Sequence, residues 1–93
     1  MRRFEFNEDK NILLNKRRGI SFEEVIEAVK NGDFIQDIKN PKAKYAHQRM
    51  YVIKIKEYIY AVPYVEDKRG FIFLKTIYPS RKLTRQYLKQ YEK

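Results

Sequence analysis

Gln48–Lys56 (QRMYVIKIK), Tyr58–Val65 (YIYAVPYV) and Phe71–Ile77 (FIFLKTI) are three β-prone runs separated by short polar breaks. In the first, Tyr51, Ile53 and Ile55 alternate with Lys54 and Lys56, the period of two of a half-buried strand. The break at Lys56-Glu57 predicts a tight hairpin. The break at Glu66–Gly70 predicts a second, with Gly70 supplying turn freedom. Consecutive hairpins make an antiparallel meander. In the middle run Tyr58, Tyr60, Val62 and Tyr64 share one face, and Ile59, Ala61 and Val65 share the other. Pro63 has no N–H to give a ladder, so it marks a bulge or an unpaired position.

Upstream, Phe4-Glu5-Phe6 predicts a short strand. Asn7 or Asp9 can cap a helix running to about Arg18, with Ile12, Leu13 and Leu14 as its apolar side and Gly19 ending it. Lys16, Arg17 and Arg18 fall in its last turn, where cations suit the helix dipole and are also free to meet a ligand. Ser21-Phe22-Glu23-Glu24 is a capping box, and Phe22, Val25, Ile26 and Val29 form one helical stripe that ends at Asn31-Gly32. Glu23, Glu24 and Glu27 read as a solvated face and a favourable helix start rather than acid–base groups. Phe34–Ile38 predicts a short strand, and Lys39–Ala46, polar and containing Pro41, predicts a loop.

Downstream, Pro79 should stop the last strand and Ser80 should cap a basic helix. That helix carries Leu83, Tyr87, Leu88 and Tyr91 on one side and Lys82, Arg85 and Lys89 on the other. Arg81 and Lys82 fall in its first turn, where the dipole is already positive, a placement that costs roughly 0.3–1 kcal/mol each. A local rule broken without visible compensation points to function. Free N–H groups, the positive dipole end and two cations together suit a phosphate. The expected architecture is α+β. One domain spans residues 1–93, with N-terminal helices packed on one face of a mostly antiparallel sheet and a C-terminal basic helix.

The chain has 93 residues, 21 Lys plus Arg against 12 Asp plus Glu, and a net charge of +9. Such an excess points to a polyanionic partner. It is uneven: from Lys75 onward six cations face the single carboxylate Glu92. Absence of cysteine excludes disulfides, thiolate zinc sites and a cysteine nucleophile, and one histidine cannot build a metal cluster. Neither a metal nor a cofactor is expected. No apolar run approaches the roughly 20 residues of a membrane span, and no signal peptide is legible, so a cytoplasmic protein with no membrane association is expected. A tyrosine-bearing sheet face beside Lys75 would suit RNA, because bases stack on aromatic rings, although tyrosines in strands more often serve as half-buried packing residues.

Taken in order, Phe4-Glu5-Phe6-Asn7, Asn15-Lys16-Arg17-Arg18-Gly19-Ile20-Ser21-Phe22-Glu23-Glu24 and Ile77-Tyr78-Pro79-Ser80-Arg81-Lys82-Leu83-Thr84-Arg85 flank a hairpin-rich middle. This pattern resembles the BrnT toxins of bacterial type II toxin–antitoxin systems, whose corresponding stretches read F-E-W-D, K-H-G-V-S-F-E-E and I-S-A-R-R-A-T-R-R-E. The resemblance spans nearly the whole chain. It implies a RelE-like α+β fold and endoribonuclease activity against mRNA, on or off the ribosome. It also implies neutralisation by a ribbon-helix-helix antitoxin in a hetero-oligomer with the antitoxin dimer. The family's basic pair falls on Arg81 and Lys82 and its later arginine on Arg85. Arg18 stands where the family has histidine, and Pro79-Ser80 where it has Ser-Ala.

If RNA is cut by its own 2′-OH, the protein must position the strand, stabilise added negative charge and move protons. Arg81, Lys82 and Arg85 are the candidates for charge stabilisation. His47 is the side chain whose ordinary pKa lies near neutrality and is the candidate acid or base. Lys75 and Arg18 are candidate phosphate contacts, and Tyr87 and Tyr91 candidate stacking or proton-transfer groups. A non-catalytic basic module that binds nucleic acid or an acidic antitoxin segment is the alternative.

Overall fold

The computed structural model describes residues 3–91 apart from Ala46; for Ala43, Lys89, Gln90 and Tyr91 it describes the backbone alone. The chain is α+β. Its elements run β1 (Phe4–Phe6), α1 (Glu8–Arg18), α2 (Phe22–Lys30), β2 (Gln36–Lys39), a 3-10 turn (Ala43–Tyr45), β3 (Arg49–Ile55), β4 (Tyr58–Glu66), β5 (Ile72–Leu74), β6 (Tyr78–Pro79) and α3 (Arg81–Tyr91). The sheet order is β1-β5-β4-β3-β2, with β6 also on β4. All pairings are antiparallel except β1 with β5, which are parallel.

Local signals place the helix ends. Asn7 caps α1 by accepting from the Lys10 N–H at 3.0 Å, and Gly19 closes it at φ 66°. The Lys56 ammonium donates to the Gly19 carbonyl at 2.9 Å, tying the β3–β4 hairpin to that helix end. Ser21 accepts from the Glu24 N–H at 3.3 Å. Glu24 does not complete the reciprocal box; its carboxylate lies 3.5 Å from the Ser21 hydroxyl. Asn11, 8% exposed, locks α1 to α2. Its carbonyl takes the buried Phe22 N–H at 2.7 Å and its amide donates to Glu23 at 2.7 Å. Buried Asn11 and Leu14 form the inner side of α1, whereas Ile12 and Leu13 are exposed, contrary to the expected apolar side. Three consecutive residues span too wide an arc of a helix to share one face.

The core lies between the α1–α2 layer and one sheet face. It joins Leu14, Ile20, Phe22 and Val25 to Tyr51, Ile53, Val62, Tyr64, Ile72, Leu74 and Ile77. Phe22 stacks on Phe6 with ring centroids 5.0 Å apart. Of the two readings of the strand tyrosines, the structure supports packing rather than an open stacking face. Tyr51 and Tyr64 are fully covered and stack at 4.3 Å, and Tyr60 packs against the same core. Register places Lys75 on the opposite face, where its ammonium sits 5.2 Å from the Phe73 ring centroid. Both faces of β4 are apolar, so alternation alone could not say which one the α2 stripe would cover.

Phe71–Ile77 does not form one strand. The Pro63 carbonyl accepts the Lys75 N–H at 2.8 Å, so this edge of β4 is the one where Pro63 has no N–H to give. The chain leaves the ladder there and returns as β6, pairing Ala61 with Tyr78 and Tyr60 with Pro79. Pro79 therefore lies within a short strand rather than stopping one before it. The gap at Thr76 and Ile77 is where the sheet opens.

The β3–β4 turn carries Lys56 at φ 51° and Glu57 at φ 68°, both left-handed and neither glycine. Such a residue costs roughly 1 kcal/mol or slightly more, and glycine is favoured at the second position of this turn. Glu57→Gly is therefore expected to raise the melting temperature by about 4–8 °C, measurable by thermal circular dichroism. The Lys54 ammonium lies 3.7 Å from the Glu57 carboxylate, but that side chain is 88% exposed, so the pair offsets little of this.

Candidate nucleic-acid interface

The basic helix α3 starts as expected. Ser80 Oγ accepts from the Leu83 N–H at 3.1 Å, and the Ser80 carbonyl takes the Thr84 N–H at 2.9 Å. The N–H groups of Arg81 and Lys82 have no acceptor within the helix, as for any first turn. Thr84 anchors the helix to the sheet: its hydroxyl accepts the Ile59 N–H at 3.0 Å, and the Ile59 carbonyl takes the Ser80 N–H at 3.0 Å. With one side thus bound to β4, the exposed side presents Arg81, Lys82 and Arg85. They line a depression of about 400 Å³ together with Gln86.

This depression adjoins others, sharing Lys82 and Gln86 with the next. A groove of about 530 Å³ separates Lys82, Leu83 and Tyr87 of α3 from Ile38, Pro41, Lys42 and Met50. It meets, at Lys42 and Tyr78, a pocket of about 330 Å³ lined by Lys10, Asn40, Tyr45, Gln48, Pro63, Lys75 and Thr76. That pocket in turn meets, at Lys10, Thr76 and Tyr78, a depression of about 200 Å³ beneath Arg17 and Arg18. Thr76, in the gap between β5 and β6, lines two of these depressions, and Ile77 lines one. Among the described residues their walls carry Lys10, Arg17, Arg18, Lys42, Lys75, Arg81, Lys82 and Arg85 and no carboxylate. Cations gathered without counter-charges repel one another, a cost that a polyanion laid along the groove would reverse.

Of the expected site, Arg81, Lys82 and Arg85 share one depression, Tyr87 lines the next with Lys82, and Lys75 and Arg18 line one each of the other two. Arg18 also has a structural role, donating to the Ile77 carbonyl at 3.1 Å. Tyr87 is half-buried beside Leu83. His47 sits in an exposed turn and lines none of these depressions. The Tyr91 side chain lies outside the described residues. Sequence reading missed Lys10, Lys42, Tyr45 and Tyr78. A loop combining Lys42, Lys44 and Tyr45 was the available signal for part of this set, since binding residues concentrate on loops held by a rigid scaffold. Tyr78 had no local signal, because its position depends on the break opposite Pro63. Its hydroxyl lies 3.5 Å from the Met50 sulfur, and burial pushes its phenol above the ordinary value.

A second polar cluster lies at the sheet rim. The Tyr64 hydroxyl lies 2.8 and 2.9 Å from the two Asp37 carboxylate oxygens, and Arg49 reaches the same carboxylate at 3.1 Å and the Asp37 carbonyl at 2.8 Å. Burial first, and the Asp37 carboxylate second, push the Tyr64 phenol well above its ordinary value of 10.0. A group with a raised folded-state pKa contributes its stability below the unfolded value and loses it as pH rises. Tyr64→Phe is therefore expected to cost roughly 1.5–3 kcal/mol at neutral pH, as for a hydrogen bond to a charged group. The gap to wild type should narrow as pH climbs past 10. Urea unfolding of both proteins at pH 7.5 and pH 11 measures this.

Among the described residues no group of three His, Asp or Glu side chains is placed to hold a metal ion, and no helix is long and apolar enough to cross a membrane. No protein-family model, curated protein or solved structure matches the chain.

Proposed function

We propose that the chain is a toxin of the BrnT type with a RelE-like fold, an endoribonuclease that cleaves mRNA and is neutralised by a ribbon-helix-helix antitoxin. The observation that carries this reading is the row of adjoining depressions whose charged walls, among the described residues, are all cationic. The α+β architecture with a basic C-terminal helix is compatible with it. Arg81, Lys82 and Arg85 hold the scissile phosphate and offset charge developing on it, the role for which preorganised cations are most effective. Lys75 and Arg18 hold flanking phosphates. Tyr78 lines three of the depressions and, as a phenol protonated at neutral pH, is the candidate proton donor to the leaving group. The acidic segment of an antitoxin would compete for the same cations.

One observation favours the binding-module reading: the sole histidine stands outside the groove, leaving its walls without an imidazole base. Inducible expression in a bacterium, with growth and total mRNA followed together, separates the two. The nuclease reading expects arrest with fragmented mRNA, relieved by the antitoxin encoded beside the gene. Normal growth with intact mRNA, from soluble folded protein, leaves the binding module.

A further inference from the structure

The 330 Å³ pocket between the 3-10 turn and the β5–β6 opening differs from the rest of the groove. Its cations come from three separate places: Lys10 on α1, Lys42 before the turn and Lys75 after β5, all exposed. Of its two aromatic residues, Tyr78 is half-buried with its hydroxyl on the Met50 sulfur, whereas Tyr45 is 37% exposed, one of three large apolar side chains that the described residues leave open. The Lys44 ammonium lies over one face of the Tyr45 ring, 5.5 Å from its centroid, which adds positive charge beside the ring. Asn40 and Gln48 supply amide groups beside the ring, and Pro63 contributes an apolar surface. A volume of about 330 Å³ lies at the lower end for small-ligand sites, enough for one nucleoside.

An aromatic ring inside a concave pocket can meet a base only after that base has left its stack. Double helices keep their bases stacked and show such a pocket mainly phosphates and sugars. Lysines on three sides suit the two phosphates that flank one nucleotide of a strand, and they ask for no particular base.

Resting on the nucleic-acid reading of the groove, we infer that this pocket takes one unstacked base of single-stranded RNA. The base lies against Tyr45, and its flanking phosphates lie on Lys42, Lys75 and Lys10. The pocket is thus a single-strand selector, separated from the depression of Arg81, Lys82 and Arg85 by the 530 Å³ groove.

The test is fluorescence anisotropy with a labelled oligo(U) octamer and a labelled RNA duplex of twelve base pairs, across a salt series. Wild type should prefer the single strand. Tyr45→Ala should weaken octamer binding about 5- to 100-fold, the range for losing one base–aromatic stack, with the salt slope unchanged. Tyr45→Phe should retain octamer affinity, because stacking needs the ring and not the hydroxyl. Neither change should alter duplex affinity. Lys75→Gln should weaken octamer binding and lower the salt slope by about 0.7, one phosphate's share for a single strand. Circular dichroism confirms folding of each variant, which the exposure of both positions favours. Unchanged octamer affinity in Tyr45→Ala, with binding still dependent on Arg81, Lys82 and Arg85, overturns the pocket and leaves the groove reading standing. No RNA binding by wild type overturns both.

Discussion

Exchange of Arg81, Lys82 and Arg85 together for alanine is expected to lower single-stranded RNA affinity about 100-fold at 0.1 M salt, with the difference closing toward 1 M. Each phosphate neutralised on a single strand contributes roughly 0.7 to the slope of log affinity against log salt, so three contacts contribute about 2. One decade of dilution below 1 M then yields about two decades of affinity. The same variant should neither arrest growth nor fragment mRNA, since the cations that would stabilise the reacting phosphate are gone. Stability should move the other way. Alanine relieves two cations from the positive end of α3, a gain of roughly 0.3–1 kcal/mol each. All three side chains are exposed, so no packing is lost. Weaker binding joined to a melting temperature that does not fall would separate function from folding in one experiment. Unchanged affinity and slope would remove these residues from the interface.

The second large effect concerns the core. Phe22→Ala is expected to destabilise the protein by about 3–5 kcal/mol, the cost of truncating a buried phenylalanine. Phe22 is fully buried, it is the first residue of α2, and its ring stacks on Phe6 at 5.0 Å. The cavity would open where β1, α1 and α2 meet, because Asn11 holds the Phe22 N–H from the other side. Against a typical total of about 5–15 kcal/mol this is a large share, and a melting-temperature drop of at least about 12 °C should follow. A double-mutant cycle with Phe6→Ala should return a coupling of about 0.5–1.5 kcal/mol for the ring pair. A coupling near zero would show that Phe22 acts through burial alone.

Much of the local structure was legible in advance. Ser21 and Ser80 cap their helices, Gly19 closes α1, and Lys56-Glu57 and Asp67–Gly70 make the two hairpin turns. These signals act between residues two to four apart, so the chain carries them without reference to the fold. The basic, exposed side of α3 was legible for the same reason.

What remained hidden depends on contacts between distant residues. Alternation in β4 says that Tyr60, Val62 and Tyr64 share a face, but both faces are apolar and only helix docking decides which one is covered. The parallel pairing of β1 with β5 joins residues 4–6 to residues 72–74 and has no local signature. The break at Pro63 follows from a missing N–H, yet its consequence, Tyr78 at the centre of a groove, appears only once β4 is placed between its neighbours. The groove draws Lys10, Lys42, Lys75 and Lys82 from four separated stretches. The chain alone therefore determined its helices and their ends, the β3–β4 hairpin and the excess of positive charge. Tertiary packing decided where that charge gathers, because side chains so far apart in sequence converge only through long-range strand pairing and helix docking.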